Sequence, residues 1–155
     1  MYQFLEKLDL SDNQKNAIID LWNNGFPVGI RHPDLNSFNK YLNSLSNHRH
    51  VIVIDGDKIK GWYSDFIRQD ERWFSMILAS DIQGRGVGSK LLNMAKTKNR
   101  VLNGWVVDRD NYSTASGLPY KPPVKFYLKN GFKLIAEERL ELKELSAVKI
   151  QWIAK

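Results

Sequence analysis

Ala79-Ser-Asp-Ile-Gln-Gly-Arg-Gly-Val-Gly-Ser-Lys-Leu-Leu92 decides how this chain is read. The apolar run Arg72–Ala79 predicts a strand that stops there. Glycines then alternate at 84, 86 and 88, and a helix follows whose Val87, Leu91, Met94 and Ala95 share one face. Glycine permits positive φ and keeps side chains away from an approaching ligand. The first turn of a helix leaves amide hydrogens unpaired at the positive end of its dipole. A strand, a glycine loop and a helix start therefore predict a cradle for a phosphate or other oxyanion over Gln83, Gly84, Arg85, Gly86, Val87, Gly88, Ser89 and Lys90. The segment lacks the Gly-x-x-x-x-Gly-Lys-Ser/Thr of a nucleotide-binding P-loop. It also fails Gly-x-x-Gly spacing from Gly86, because Ser89 stands where the dinucleotide fingerprint needs its third glycine.

Working outward, Tyr2–Leu8 predicts a short edge strand. Ser11-Asp-Asn-Gln14 reads as a capping box before a helix carrying Ala17, Ile18, Leu21 and Trp22 and ending at Gly25. A second helix follows Pro33-Asp34, with Leu35, Phe38, Leu42 and Leu45 on one face. The β-branched run Val51–Ile54, a turn at Asp55-Gly56 and the strand Lys58–Ile67 predict a hairpin, and Arg68–Glu71 turns into the strand at Arg72. Downstream come a strand at Trp105–Val107, a loop over residues 112–121, a helix opened by Pro122-Pro123 and stopped at Asn130-Gly131, and the strands Lys133–Glu141 and Ala147–Ile153. The order β-α-α-β-β-β-α-β-α-β-β describes an α/β chain with a mixed sheet. No repeat, low-complexity tract or linker interrupts it, so residues 1–155 are expected to form one domain.

Composition narrows the chemistry. With no cysteine among 155 residues, disulfide scaffolds, Cys-ligated metals and Cys nucleophiles are excluded. His48 and His50 lie close together but lack a third ligand with suitable spacing, so no metal is expected. No apolar run approaches the ~20 residues of a membrane span. Met1–Lys7 does not have the pattern of a secretory signal, and a cytoplasmic location without membrane contact is expected. Residues 1–80 hold nine basic and ten acidic side chains, and residues 81–155 hold 14 and seven. The positive charge is thus local, as an anionic ligand requires. Aromatics interleaved with Lys or Arg on a sheet face are missing, so nucleic acid is not an expected partner.

Two stretches carry a resemblance to a known family. Gln83-Gly84-Arg85-Gly86-Val87-Gly88 resembles the Gln/Arg-x-x-Gly-x-Gly/Ala signature with which the GNAT N-acetyltransferase superfamily holds the pyrophosphate of acyl-CoA. Phe126-Tyr127-Leu128-Lys129-Asn130-Gly131-Phe132 resembles that family's Phe-Tyr-x-Lys-x-Gly-Phe. Both stand in the family's order, and the order of elements is similar from residue 2 to the C-terminus. The resemblance implies a GNAT-like fold and transfer of an acetyl group from acetyl-CoA to a primary amine by direct attack. It implies a strand that splays from its neighbour, with Met76, Ile77 and Leu78 along the pantetheine arm. It also implies that Tyr127 gives its hydrogen to the departing thiolate, a role a neutral phenol can fill at pH 7.

The chain departs from the family pattern in two places. Many relatives carry Glu where this chain has Ser75, and serine cannot serve unaided as a base. That leaves the general base unassigned among Asp65, Asp108, Glu71 and Asp110, with Asp108 and Asp65 the foremost candidates. The second departure is the loop Tyr112–Lys121, which is either a wall over the cleft or a tolerated surface insertion. Trp22, Phe26, Trp62, Tyr63 and Trp73 are candidates for an acceptor pocket, although their spacing suits the core. A small-molecule amine is favoured over a protein as acceptor, and the strand Ala147–Lys155 is a candidate edge for a homodimer. The alternative reading is a GNAT-like acyl-CoA binder with weak or no catalysis.

Overall fold

In a computed structural model describing residues 1–155, one sheet runs through the chain in the order β1-β2-β3-β4-β5-β7-β6. Its strands are β1 (Tyr2–Lys7), β2 (Ser46–Asp55), β3 (Lys58–Arg68), β4 (Glu71–Leu78), β5 (Val101–Val106), β6 (Lys133–Glu141) and β7 (Ser146–Ile153). All neighbours are antiparallel except β4 and β5, which run parallel because the helix α3 (Val87–Lys98) crosses between them. The remaining helices are α1 (Asp12–Gly25), α2 (Leu35–Asn43) and α4 (Val124–Lys129), with 3-10 turns at Val28–Ile30 and Ser80–Ile82. No helix is long and apolar enough to cross a membrane.

Local chemistry starts the helices where the sequence indicates. The Gln14 amide donates to Ser11 Oγ at 3.2 Å while the Ser11 amide donates to Gln14 Oε1 at 2.9 Å, completing the capping box. Asp34 Oδ1 accepts from the Ser37 amide at 2.9 Å and caps α2. Each such cap stabilises its helix by about 1 kcal/mol.

Alternation along the strands then divides the core. On one face Ile52, Trp62, Phe66, Trp73 and Ile77 meet Ile18 and Trp22 of α1 and Phe38 and Leu42 of α2. On the other, Val51, Val53, Tyr63 and Phe74 meet Val87, Leu91, Leu92 and Ala95 of α3, with Tyr127 and Phe132 beyond. Trp62 and Phe38 are fully buried, each worth roughly 1.5–3 kcal/mol of hydrophobic stabilisation.

Several expectations are corrected. β7 is not an edge: it lies between β5 and β6, and its ladders on both sides leave no free side for pairing with a second copy. The sheet's edges are β1 and β6. β2 begins at Ser46 rather than Val51, so His48 and His50 are strand residues. β5 begins at Val101 rather than Trp105, and Asn103-Gly104 lies inside it. A Cβ on Gly104 would stand 3.0 Å from the Phe74 ring, so glycine there makes room for an aromatic of the next strand. Buried Asn103 accepts from Gln151 Nε2 at 2.9 Å and donates to the Arg72 carbonyl at 3.1 Å. These tertiary bonds override the turn preference of an Asn-Gly pair. α2 ends at Asn43, and Leu45 reaches the same apolar cluster from beyond the helix.

Candidate active site

The site begins with a failure of pairing. β4 and β5 meet in register at one point, Trp73 opposite Asn103, and the ladder goes no further. The Asn103 amide fixes that point by bonding the Arg72 carbonyl. From there to Leu78, β4 parts from β5 and leaves an opening in the middle of the sheet, into which two cavities converge.

The first, of about 470 Å³, is a cleft between β4 and α4. Met76, Ile77 and Leu78 line one wall. Gln83, Gly84, Gly86, Gly88 and Ser89 form its floor. Lys121, Pro122, Pro123, Phe126, Tyr127 and Lys129 line the other side. Gly84 and Gly86 have φ of 75° and 80°, and Gly86 caps α3 in the left-handed conformation with no side-chain cap. The first-turn amides of α3 therefore remain open to an anion at the positive end of the dipole. Gln83 Nε2 donates to the Leu78 carbonyl at 3.2 Å and ties the loop back to the strand it left. Gly88 has a different reason: a Cβ there would stand 2.8 Å from the ring of Phe126, so its hydrogen lets α3 and α4 approach.

The structure brings together most of the glycine-loop residues singled out from sequence, but not three of them. Val87 is buried in the core, so only its main chain can serve the loop. Arg85 is exposed and does not line the cleft. Lys90 turns away to lie 4.3 Å over the Phe4 ring. The cations that do line the cleft are Lys121 and Lys129, and no carboxylate lines it.

The second cavity, of about 260 Å³, opens on the α1 side. Trp22 and Phe26 of α1 and its end, Tyr41 of α2, Phe66 and Arg68 of β3, Trp73 to Met76 of β4, Trp105 of β5 and Tyr120 of the loop enclose it. Of the aromatics nominated from sequence, Trp22, Phe26 and Trp73 line it, whereas Trp62 and Tyr63 are core residues away from both cavities. Sequence reasoning missed Tyr41, Arg68, Trp105 and Tyr120. Tyr120 lay within a nominated loop, but the other three sit in regular elements and gave no local signal.

The loop of residues 112–121 is a built wall. The Val28 amide donates to the Ser113 carbonyl at 2.8 Å and the Ala115 amide to the Asn23 carbonyl at 3.1 Å, pinning it to the end of α1. The Tyr120 amide donates to the Tyr112 carbonyl at 2.9 Å, and the Ser146 amide donates to the Tyr112 hydroxyl at 2.9 Å. Tyr120 is thereby buried against Val107, Leu145 and Ala147 while still lining both cavities.

Phe26, Met76, Tyr120, Pro123 and Tyr127 are common to both cavities and mark their junction. Burial raises the Tyr127 phenol well above its usual range, with Tyr120 adding to the effect. Burial pushes Tyr120 up to about 12. Both are protonated hydrogen-bond donors at pH 7. Ser75 Oγ and the Tyr41 hydroxyl stand 3.5 Å apart on the aromatic side.

Neither foremost candidate for a base reaches this junction. Asp65 is 2% exposed, and Arg49 Nε and Arg72 Nη1 donate to its Oδ1 at 2.7 and 3.1 Å. The Tyr63 hydroxyl donates to its Oδ2 at 2.7 Å. This carboxylate clamps β2, β3 and β4 on the α3 side of the sheet and lines neither cavity. Asp108 is gripped by two Arg139 nitrogens at 2.9 and 3.0 Å, which hold its carboxyl below the usual range. Glu71 faces Lys149 and Asn103 instead. No Asp, Glu or His lines either cavity.

Comparison with known proteins agrees with this geometry. The family described as the acetyltransferase (GNAT) domain matches residues 46–134, from β2 to β6. An aminoglycoside 6'-N-acetyltransferase complexed with coenzyme A superposes with a TM-score of 0.69 at 12% identity, covering 97% of this chain and 96% of that one. An acyl-CoA N-acyltransferase from Pseudomonas aeruginosa gives 0.69 at 12% identity, covering 98% and 99%. A GNAT-family acetyltransferase from Streptococcus pneumoniae gives 0.64 at 15%, covering 97% and 99%. At such identities these superpositions speak for the fold. No curated protein gives a significant sequence match. With the family match spanning the parted strands, the glycine loop and α4, this chain belongs to the GNAT acetyltransferase family.

Proposed function

We propose that the protein transfers an acetyl group from acetyl-CoA to a primary amine of a small molecule. The observation that carries this reading is the parting of β4 from β5 beyond the Trp73–Asn103 bridge, with uncapped amides of α3 at one end and Tyr127 at the junction. The open amides from Gly84 to Ser89 suit a pyrophosphate, and Lys121 and Lys129 add positive charge. Met76, Ile77 and Leu78 offer an unpaired strand edge along which a pantetheine arm can bond. An amide of that edge would polarise the thioester carbonyl.

The acceptor amine enters from the aromatic cavity. Its nitrogen lone pair forms a bond to the acyl carbon, the carbon–sulfur bond breaks, and its electron pair stays on sulfur. Tyr127 gives its phenolic proton to that sulfur and regains one from the solvent that receives the amine's proton. The proton lost by the amine passes to water, because no carboxylate or imidazole lines the junction. The aromatic walls favour a small acceptor over an extended chain, and the same walls hold the amine in place for attack.

Calorimetry with acetyl-CoA and with CoA, followed by thiol release across a panel of amines, tests the proposal. Saturable binding of both and turnover of at least one amine is expected. Absence of heat from either would sink it. Saturable binding with no turnover on any amine would instead favour the acyl-CoA binder without catalysis, for which the absence of a nearby carboxylate speaks.

A further inference from the structure

The aromatic cavity carries a charge signature of its own. Its one ionised lining residue is Arg68, at the outer end of β3, and no acidic side chain lines it. Arg68 takes part in none of the chain's eight ion pairs. Arg68 is exposed, and its guanidinium lies 5.0 Å from the centre of the Phe66 ring and 5.7 Å from that of Trp73, so two aromatic faces flank it where the cavity meets solvent. The neighbouring Glu71 is engaged with Lys149 and Asn103.

We infer that the acceptor is an amine with a flat apolar body and a carboxylate, the carboxylate meeting Arg68 while the body lies among Trp22, Trp73 and Trp105. This rests on the proposed transferase reading and narrows its acceptor. A polycationic acceptor such as a polyamine or aminoglycoside does not fit. Each additional ammonium would leave water for a wall without a carboxylate, facing a guanidinium of like charge. Arg68 already lies over Phe66 and Trp73, so those two rings offer such an acceptor no free cation–π contact. A carboxylate reverses both signs, and the planar guanidinium can take it with two hydrogen bonds.

The test has a binding arm that needs no turnover. N-acetyltryptophan and N-acetyltryptamine share the shape of a product and differ by the carboxylate alone. Calorimetric titration of each into the protein is expected to show the carboxylate form binding about tenfold tighter or more, as a charge-assisted hydrogen bond implies. In Arg68→Gln the gap should shrink to about twofold, with Arg68→Lys between because the charge survives and the fork does not. Thiol release with tryptophan, tryptamine and spermidine should rank them in that order by kcat/KM. Equal affinity of the two products, binding of neither, a gap that survives Arg68→Gln, or spermidine as the best substrate would overturn the inference. The transferase reading fails separately, by loss of acetyl-CoA binding while the carboxylate preference persists.

Discussion

The two cavities that meet at Tyr127 are built from different material. The anion-facing side of the glycine cleft is main chain, supplied by Met76–Leu78 and Gln83–Ser89 within one short stretch, with side chains of residues 120–129 opposite. The aromatic cavity is mostly side chain, supplied by α1, α2, β3, β4, β5 and the loop ending at Tyr120. Binding by amides requires particular backbone angles, and those angles demand glycine at fixed positions, so the requirement is written locally. Binding by rings requires only that distant residues converge, and convergence leaves no local mark. A main-chain site can therefore be read from a motif, whereas the ring-lined side had to wait for the structure.

The sharpest challenge to this division is a carboxylate outside both halves. Asp65→Asn removes the charge facing Arg49 and Arg72 at the buried clamp. Breaking one partner of such a pair costs about 3–5 kcal/mol, so chemical denaturation should show a loss of that order. Turnover per folded molecule at low temperature should be nearly unchanged. A fall in kcat with the denaturation midpoint preserved would return Asp65 to the chemistry and break the two-cavity account.

Tyr127 belongs to both halves, and its replacement should separate binding from chemistry. Tyr127→Phe keeps the ring among Phe74, Phe126 and Phe132 and removes only the hydroxyl. We expect acetyl-CoA affinity to persist and kcat to fall about 100-fold, the lower end for loss of a general acid. Because burial keeps the phenol protonated, the wild-type kcat profile should show no limb from Tyr127 between pH 6 and about 9. An unchanged kcat would remove the residue from the mechanism.

His50 probes the foundation of the aromatic half. Trp62 Nε1 donates to His50 Nδ1 at 3.1 Å, so the neutral ring carries its hydrogen on Nε2 and donates to His48 Nδ1 at 2.9 Å. Protonation would place a second hydrogen where the Trp62 N–H already points. Burial lowers the His50 pKa to about 4, with His48 and Lys15 adding to the effect and Asp9 opposing it. The unfolded chain, titrating near 6.5, then binds the extra proton first as pH falls. Stability from this site is complete above about pH 6.5 and declines below it, by about 2–3 kcal/mol at pH 4.5. Urea unfolding at pH 7 and 4.5, with the His50 ring signals followed by NMR, checks both sign and size. Titration of His50 near 6.5 would show that the Trp62 bond does not hold the ring neutral.

Much of the fold was legible because its signals are local. The capping box at Ser11, the Asp34 cap and the strand-to-helix glycines each state their conformation within a few residues. The misreadings share a cause: long-range partners decided the outcome. Asn103-Gly104 became strand because Gln151 and Phe74 lie 40 or more and about 30 residues away in sequence, respectively, and fit only there. β7 became an interior strand because β5 and β6 both claimed it, which no periodicity within β7 announces. Asp65 and Asp108 looked available because sequence does not show which arginines will hold them. Ser75 lines the aromatic cavity, and the absence of a glutamate at that position matches a junction without any carboxylate.

The smallest effect gives the finest separation within the glycine cleft, because two of its glycines are there for different reasons. Gly88→Ala presses a methyl onto the Phe126 ring, a small overpacking expected to cost about 1–2 kcal/mol in stability. Gly86→Ala meets no atom within 4 Å but forces a side chain into φ of 80°, costing about 1 kcal/mol. Stability alone would barely distinguish them. Acetyl-CoA affinity should, because the Gly86 methyl stands at the cap of α3 where an anion must approach the open amides, whereas the Gly88 methyl faces α4. We expect about tenfold weaker binding for Gly86→Ala and a change of about threefold or less for Gly88→Ala by calorimetry. The reverse order would mean that the contact between α3 and α4, rather than the cap of α3, shapes the acyl-donor site, and the main-chain half of the comparison would then depend on side-chain packing as much as its neighbour does.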